Sequence, residues 1–319
     1  QLDTVSMTRF SEGDGLDKGL IARIASTADS NVWFIAASTT AGFKLSRFDG
    51  RQIDKLSATD GLPGNNPNTL CTDRDGSLLV GDWSAPIARY RPEPGTGNRP
   101  RFQIVEGSGP ASALARSTTG DLWFGEDRGA RILGEKSPSV DWTIGAVRLA
   151  QAGENGTVWF GGPELGIYQW DGTRFLLFGA AAGLPSSEVT AIQPLPGGAL
   201  LAVADRKAYK LEHGKFTPWP ANHARLQQGV VYDIARDPHN LIWLGTGEGL
   251  FFTDGTAWTS LDERDGLPQN EVTRVHPAAD GTVWMGTMDK GLARFRRTRR
   301  SPQAPTLTVT TDREYRELA

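Results

Sequence analysis

Short apolar runs alternate with polar, glycine-rich turns along the whole chain. One such unit, GTVWMGTMDKGLARF, occupies Gly281–Phe295, and related units begin at Asn31, Gly120, Gly156 and Asn240. Each unit consists of a turn, a short apolar strand with a central tryptophan, a polar loop and a second short strand. Apolar residues at the three- and four-residue spacing of a helix do not persist over a window long enough to predict a helix. The pattern therefore predicts an all-β fold assembled from repeats.

The repeats can be aligned on the central residue of the apolar strand, which is tryptophan in five copies and leucine in two. These residues are Trp33, Leu79, Trp123, Trp159, Leu201, Trp243 and Trp284. Consecutive centres lie 36 to 46 residues apart, close to the ~40–50 residues of a four-stranded propeller blade. We therefore predict a seven-bladed β-propeller of four-stranded antiparallel blades over residues 1–297, followed by a tail or linker over residues 298–319.

Turn chemistry places the four strands within a blade. Innermost strands are predicted at Val189–Gln193 and Val272–His276, a third strand at Leu250–Thr253, and outermost strands at Phe175–Phe178 and Trp258–Leu261. Asp-Gly pairs between the third and fourth strands predict tight hairpins, because glycine adopts positive φ readily. A second recurring element, DGLP or AGLP, follows the outermost strand and predicts a turn back to the next innermost strand.

The two ends of the chain are predicted to share a blade. The segment Met7–Phe10 resembles an outermost strand, whereas the last repeat ends at its third strand, Gly291–Phe295. Pairing these two strands would complete the blade that contains Trp284 and remove an exposed sheet edge. We therefore expect the N-terminal strand to close the ring.

Three stretches depart from the repeat. The segment Arg91–Arg101 predicts an exposed loop, Pro218–Gly229 replaces the usual linker, and Arg296–Pro305 predicts a hinge before one further strand at Thr306–Thr311. The last residues stop in mid-pattern, as if a further segment followed. The chain begins at Gln1, which is typical of an exported protein without its signal peptide or of a truncated chain.

Composition excludes several classes of function. The formal net charge of −3 favours no nucleic-acid partner. No apolar run approaches the ~18 residues of a membrane span, so we expect no direct membrane insertion by this chain. The single Cys71 excludes an intramolecular disulfide and a cysteine-rich metal cluster, and it is expected to be a small buried hydrophobe. The sequence predicts neither a metal site nor a cofactor.

Candidate binding residues follow from the topology, because zincin, P-loop and nucleophile-elbow motifs are absent from the sequence. In an antiparallel blade, the loops between the second and third strands emerge on the face where propellers usually bind ligands. These loops supply a mixed-charge ring with one aromatic residue, comprising Trp83, Asp82, Asp127, Arg128, Glu164, Arg206, Glu248, Asp289 and Lys290. Solvation alone also makes such loops polar. The ring is suited to hydrogen bonding with a polar small molecule or a saccharide.

Aromatic and histidine residues need separate interpretations. The repeating tryptophans are expected to pack between blades, since one occurs at the same strand position in most units. Trp83 falls outside that register and is the tryptophan we expect to contact a ligand. His276 lies on a predicted innermost strand and is expected to line the channel.

The succession DGLP-x-N, an alternating strand, G-x-x-W-x-G-T and G-L-x-R-F-D-G resembles the two-component regulator propeller repeat. Copies extend from Met7 to about Arg297. Members of that family are mostly periplasmic sensor regions of bacterial histidine kinases or diguanylate cyclases. The resemblance implies an extracytoplasmic sensing fragment of a longer receptor, because this chain contains one ring and no kinase motif. Any kinase or cyclase activity would lie outside the chain.

Three functional hypotheses remain. The leading one is a non-catalytic, exported sensor that binds a polar small molecule or saccharide, another protein domain, or a second copy of itself. The alternative is a propeller lyase or carbohydrate-active enzyme that uses carboxylates such as Glu164 and Glu248, with His276 or His223. A secreted protein-binding scaffold is the third hypothesis, and the sequence does not separate it from the first.

Overall fold

The computed structural model describes residues 4–38, 42–92, 100–134, 144–185 and 187–298. These residues form seven antiparallel sheets arranged as the blades of a propeller around a central channel. Six sheets have four described strands, and the third has three. The fourth strand predicted for that blade lies outside the described residues. The predicted all-β, seven-bladed propeller is therefore confirmed.

The outermost strand of the seventh blade comes first in the chain and is β1 (Thr4–Phe10). Blades one to three contain β2 (Leu20–Ser26), β3 (Val32–Ser38), β4 (Gly42–Phe48), β5 (Ile53–Lys55), β6 (Pro67–Thr72), β7 (Leu78–Asp82), β8 (Ala88–Tyr90), β9 (Phe102–Ile104), β10 (Ala113–Arg116), β11 (Leu122–Gly125) and β12 (Ala130–Ile132). Blades four and five contain β13 (Leu149–Ala152), β14 (Val158–Gly162), β15 (Gly166–Trp170), β16 (Phe175–Phe178), β17 (Val189–Pro194), β18 (Leu200–Ala204), β19 (Lys207–Glu212) and β20 (Lys215–Pro218). Blades six and seven contain β21 (Val231–Arg236), β22 (Ile242–Thr246), β23 (Gly249–Thr253), β24 (Trp258–Leu261), β25 (Val272–Pro277), β26 (Thr282–Thr287) and β27 (Leu292–Thr298).

The ring closes as the sequence predicts. β1 pairs with β27 in antiparallel register from Thr4 opposite Thr298 to Phe10 opposite Leu292. The order of the seventh sheet is β1-β27-β26-β25, so one blade is built from both ends of the chain. Both closing strands are longer than the sequence pattern indicated.

The tryptophans of the second strands pack between blades, which confirms their predicted role. The Trp33 ring lies 4.7 Å from that of Tyr90 in the second blade, and Trp284 lies 5.6 Å from Phe48 in the first. The glycine two residues after the tryptophan has a related cause. A Cβ atom on Gly286 would lie 2.5 Å from the Cβ of Ile21 in the next blade. Glycine is therefore required where adjacent blades approach most closely.

In four of the described linkers between blades, a turn of 3₁₀-helix is followed by a buried leucine. In the DGLP element at residues 265–268, Gly266 ends the turn with φ of 105°. The preceding Asp262 and Asp265 satisfy backbone N–H groups of the turn in a reciprocal capping box. Leu267 is 1% exposed. The linker thus turns the chain and also adds an apolar side chain to the core between blades.

The Asp-Gly hairpins differ in detail from the tight turns predicted. Four residues, 171–174, connect β15 to β16, and only Gly172 among them has positive φ, at 103°. Oδ1 of Asp171 accepts hydrogen bonds from the backbone N–H of Thr173 and Arg174 at 2.8 and 2.9 Å. Hydrogen bonds from Thr173 and the backbone lower the pKa of Asp171 to about 2. The aspartate therefore organises a four-residue loop in which glycine supplies one left-handed residue.

The irregular stretch at residues 218–229 contains the short helix α1 (Ala224–Gln228), which the sequence pattern did not predict. Nδ1 of His223 accepts from the Leu226 N–H at 3.3 Å, and Leu226 is 3% exposed. Most of the loop predicted at residues 91–101 and the strand predicted at 306–311 lie outside the described residues, and the domain boundary at residue 297 stays a prediction. No helix in the described part is long and apolar enough to span a bilayer.

Candidate ligand face and central channel

The predicted binding residues all lie on one face, called here the ligand face, where the second strand of each blade connects to the third. Asp82 and Trp83 belong to the second blade, and Asp127 and Arg128 to the third. The fourth to seventh blades contribute Glu164, Arg206, Glu248, Asp289 and Lys290. Contact of these residues with a ligand stays a prediction.

The structure brings Trp83, Asp127 and Arg128 together in one cavity of about 320 Å³, which we call the Trp83 shelf. Pro110, Ala111, Ser112, Glu126 and Arg131 also line it. The Trp83 side chain is 41% exposed, which is unusual for so large an apolar group. The shelf therefore combines an accessible aromatic ring with charged groups of both signs.

Arg148, which precedes β13, fixes the orientation of Trp83. Its guanidinium carbon lies 4.5 Å from the centre of the Trp83 ring, in the range of a cation–π contact. The same guanidinium donates from Nη2 to Oδ1 of Asp127 at 2.7 Å. Arg148 was not among the predicted site residues, because its place beside Trp83 depends on how the second and fourth blades are arranged in the ring.

Asp82 has a different environment from its neighbour Trp83. It is 4% exposed, and Oδ2 accepts from the Asn66 N–H at 2.8 Å. Oδ1 accepts from the N–H and hydroxyl of Ser84 at 2.8 and 3.1 Å. The carboxylate thus holds the loop that presents Trp83 and has little surface for a ligand.

The remaining predicted residues do not line the shelf. Glu248 forms an ion pair with Arg225 of α1 at 3.0 Å, and both side chains are about half exposed. Glu164 and Arg206 have φ of 60° and 58° at loop tips. Asp289 and Lys290 are exposed in the loop that joins β26 to β27. These residues are spread around the rim of the ligand face.

The channel along the propeller axis is a cavity of about 470 Å³ lined by the innermost strands of all seven blades. Its charged lining consists of Arg23, Arg116, Arg148, Arg236, Arg274 and Asp233. This concentration of arginine was missed at the sequence level. The signal that could have found it is an arginine within an otherwise apolar innermost strand, as in LIARIAS at residues 20–26.

The arginines at the end of the channel away from the ligand face have protein partners. Arg116 donates from Nε and Nη2 to the two carboxylate oxygens of Asp73 at 2.8 and 2.7 Å. Burial raises the pKa of Asp73, but the hydrogen bonds from Arg116 and the Arg74 N–H and the charges of Arg116 and Arg89 together outweigh it, so the pKa lies below its usual value. Arg236 donates to Oδ1 of Asn240 at 3.1 Å. These groups stabilise the fold at that rim.

His276 lines the channel, as predicted, and also joins two blades. Its Nε2 lies 2.9 Å from the hydroxyl of Ser26 in the first blade. Burial lowers the pKa of His276 to about 4 and raises that of the Cys71 thiol to about 11, so both are neutral at pH 7. Within the described residues, no group of three or more His, Cys, Asp or Glu side chains could hold a metal ion.

No protein-family model matches the chain, and no curated protein matches it in sequence. Among solved structures, it is similar to the extracellular domain of the hybrid two-component system BT3049 of B. thetaiotaomicron, with 15% identity and a TM-score of 0.69 over 91% of this chain and 41% of that one. It is also similar to virginiamycin B lyase from Staphylococcus aureus, solved with quinupristin, with 13% identity and a TM-score of 0.65 over 92% of this chain and 99% of the lyase. A streptogramin B lyase structure has 14% identity and a TM-score of 0.68 over 92% of this chain and 98% of that one.

The chain spans about two fifths of the length of the two-component domain it matches. At these identities the likeness concerns the fold. The propeller is thus shared with extracellular domains of two-component systems and with lyases.

Proposed function

We propose that this chain is the extracytoplasmic sensor propeller of a bacterial signalling receptor and that it binds a small polar molecule or saccharide on the ligand face. The observation that carries the proposal is the Trp83 shelf, where an exposed indole is held in place beside charged side chains. The propeller fold shared with extracellular domains of two-component systems supports the cellular context. Binding of another protein domain or a second copy of the chain stays a prediction.

The chemistry of the shelf suits a sugar ring. An indole can stack on the apolar face of a saccharide, and its rigid side chain loses little conformational entropy on binding. Asp127 and Arg128, both exposed beside the indole, would accept and donate hydrogen bonds to hydroxyl groups at the ring edge. Because Arg148 already packs on Trp83, the indole is partly ordered before the ligand binds. Binding therefore loses less side-chain conformational entropy.

Binding can be tested with the whole chain by calorimetry and thermal shift against neutral and acidic mono- and oligosaccharides. A ligand at a concentration one hundred times its Kd should stabilise the protein by about 2.7 kcal/mol. Trp83→Ala should weaken binding at least tenfold, about 1.4 kcal/mol. Leu177→Ala is the matched control, because Leu177 is also an exposed apolar residue, at 58%, on an outermost strand of another blade. Binding that survives Trp83→Ala unchanged would overturn the assignment of the shelf.

A lyase is the second candidate, since one propeller of this size accounts for nearly the whole length of the two lyase structures. Glu164 and Glu248 are the carboxylates that such an activity would use. Incubation with quinupristin and with acidic polysaccharides tests it. Turnover by the wild type that is lost in Glu164→Gln or Glu248→Gln would favour the lyase, and saturable binding without turnover would favour the sensor.

A further inference from the structure

Arg23 and Arg274 occupy equivalent positions on the innermost strands of adjacent blades. Each follows a β-bulge, and each lies opposite the residue two positions after the central tryptophan of its blade. Asp233 follows the equivalent bulge in the sixth blade. Three consecutive blades therefore place two positive charges and one negative charge at the same level of the channel.

Both guanidinium groups have unused hydrogen-bond donors. Nη1 of Arg23 donates to the carbonyl oxygen of Ala22 at 2.8 Å. Arg274 donates from Nε to the same oxygen at 2.7 Å and from Nη1 to the carbonyl of Thr273 at 2.7 Å. A guanidinium carries five N–H donors. Within the described residues, the other donors of both arginines have no protein acceptor.

Asp233 lies near the two arginines but does not neutralise both. Its Oδ2 accepts from the Val275 N–H at 2.9 Å, and in the described part of the chain no ion pair links it to either guanidinium. Burial raises the pKa of Asp233, and the charges of Arg274 and Arg23 oppose that rise only in part. Burial and the neighbouring charge of Arg274 together lower the pKa of Arg23 to about 10, and the charge of Asp233 opposes them only in part. The site therefore has an excess of positive charge in a poorly solvated place.

The rest of the channel lining does not supply the missing negative charge. Arg116 is already paired with Asp73, and Arg148 with Asp127. The whole chain has a formal net charge of −3, so the positive channel is a local feature and not a consequence of composition. Because low-dielectric walls strengthen such a field, the channel should attract anions.

We propose that Arg23 and Arg274 bind an oxyanion, the carboxylate, phosphate or sulfate group of a small molecule that enters the channel. Carboxylate, phosphate and sulfate groups accept several hydrogen bonds at once. The two planar guanidinium groups have free N–H donors that can supply these bonds. A cavity of about 470 Å³ has room for such a molecule. This site is separate from the Trp83 shelf and does not depend on the sensor function proposed above.

The test is calorimetric titration of the whole chain with sodium phosphate, sulfate and citrate, with chloride keeping the ionic strength constant. Saturable binding is expected for at least one anion, and the order of affinities distinguishes phosphate, sulfate and carboxylate. Arg23→Gln and Arg274→Gln should each weaken it at least tenfold. Arg174→Gln is the control, because the Arg174 side chain is 72% exposed, away from the channel lining. Absence of saturable binding, or equal affinity in Arg23→Gln and Arg174→Gln, would refute the site.

A second variant keeps the proposal testable if Arg274→Gln fails to fold, since Arg274 also joins two blades through Ala22. Asp233→Asn preserves an acceptor for the Val275 N–H and removes the only negative charge among the described channel-lining residues. It should therefore bind the same anion several-fold more tightly. Weaker binding by Asp233→Asn would contradict the charge balance on which the site rests.

Discussion

Replacing Phe10 by alanine removes an aromatic ring at the seam where the two ends of the chain meet. Phe10 is 9% exposed, and its ring centre lies 4.9 Å from that of Phe48 and 5.6 Å from that of Trp284. These contacts join β1 to the first blade as well as to the rest of the seventh. Loss of a buried phenylalanine costs about 3–5 kcal/mol, because a cavity remains after the transfer energy is lost.

The expected change in melting temperature follows from the size of the fold. Unfolding entropy is about 2.1 cal/mol/K per residue, so the roughly 275 described residues give ~0.6 kcal/mol/K and a decrease of about 5–9 °C. Differential scanning calorimetry at one fixed scan rate measures this decrease in melting temperature. Ile104→Ala is the matched control, because Ile104 also lies on an outermost strand but is 56% exposed. Its expected decrease is about 1 °C.

The same reasoning applies to removal of the whole strand. Deleting residues 1–12 would leave the edge of β27 without the partner that it has along Thr4–Phe10. A larger decrease in melting temperature than for Phe10→Ala is expected, together with association through the exposed edge. If Phe10→Ala melts within 1–2 °C of Ile104→Ala, or if the truncated chain melts like the intact one, the closure argument is refuted.

Three further predictions concern the seams and the channel. Gly286→Ala should destabilise the protein by about 2 kcal/mol or more in denaturant titration, because its Cβ would meet Ile21 at 2.5 Å. The pKa of His276 falls from 6.5 to about 4 on folding, so its contribution to stability is complete above pH 6.5 and is lost as the pH falls toward 4. At ~1.4 kcal/mol per pKa unit, the free energy of unfolding of the wild type should fall by roughly 3 kcal/mol more than that of His276→Gln over that range. Equal decreases would contradict the burial of a neutral imidazole. Sulfate affinity should rise as the pH falls toward the raised pKa of Asp233, because the carboxylate that faces Arg23 and Arg274 then loses its charge. Calorimetry of Asp233→Asn should detect no such rise.

Much of the fold could be predicted because every blade has the same local packing requirements. A tryptophan such as Trp284 fills the space between blades, Gly286 allows the next blade to approach, and Leu267 ends the linker in the core. These requirements recur at nearly constant spacing and are therefore visible in one sequence. Ring closure could also be inferred, because one outermost strand at the start and one missing outermost strand at the end leave few alternatives.

The candidate site was predictable only in part. Trp83 could be recognised because it falls outside the strand register, whereas its partner Arg148 comes from another blade and a distant part of the sequence. Loop position alone did not reveal that Asp82 is buried within its own loop. Arg23 and Arg274 are 251 residues apart in sequence and meet only when the ring closes. Such long-range placements have no local signal.

The short helix α1 was missed for a related reason. Five residues are too few to form a stable helix from intrinsic propensity. Capping by His223 and burial of Leu226 stabilise it, and these are tertiary contacts. A pattern search therefore has little to detect in this stretch.

The central claim is that a small polar molecule binds on the ligand face at Trp83. The most direct measurement is NMR of the indole N–H groups in ¹⁵N-labelled protein, because the chain has ten tryptophans and the Trp83→Phe variant assigns the signal of Trp83. During titration with the neutral and acidic saccharides, the Trp83 signal should move saturably, while those of the buried Trp33 and Trp159 stay in place. A saccharide that binds without moving the Trp83 signal would contradict the account.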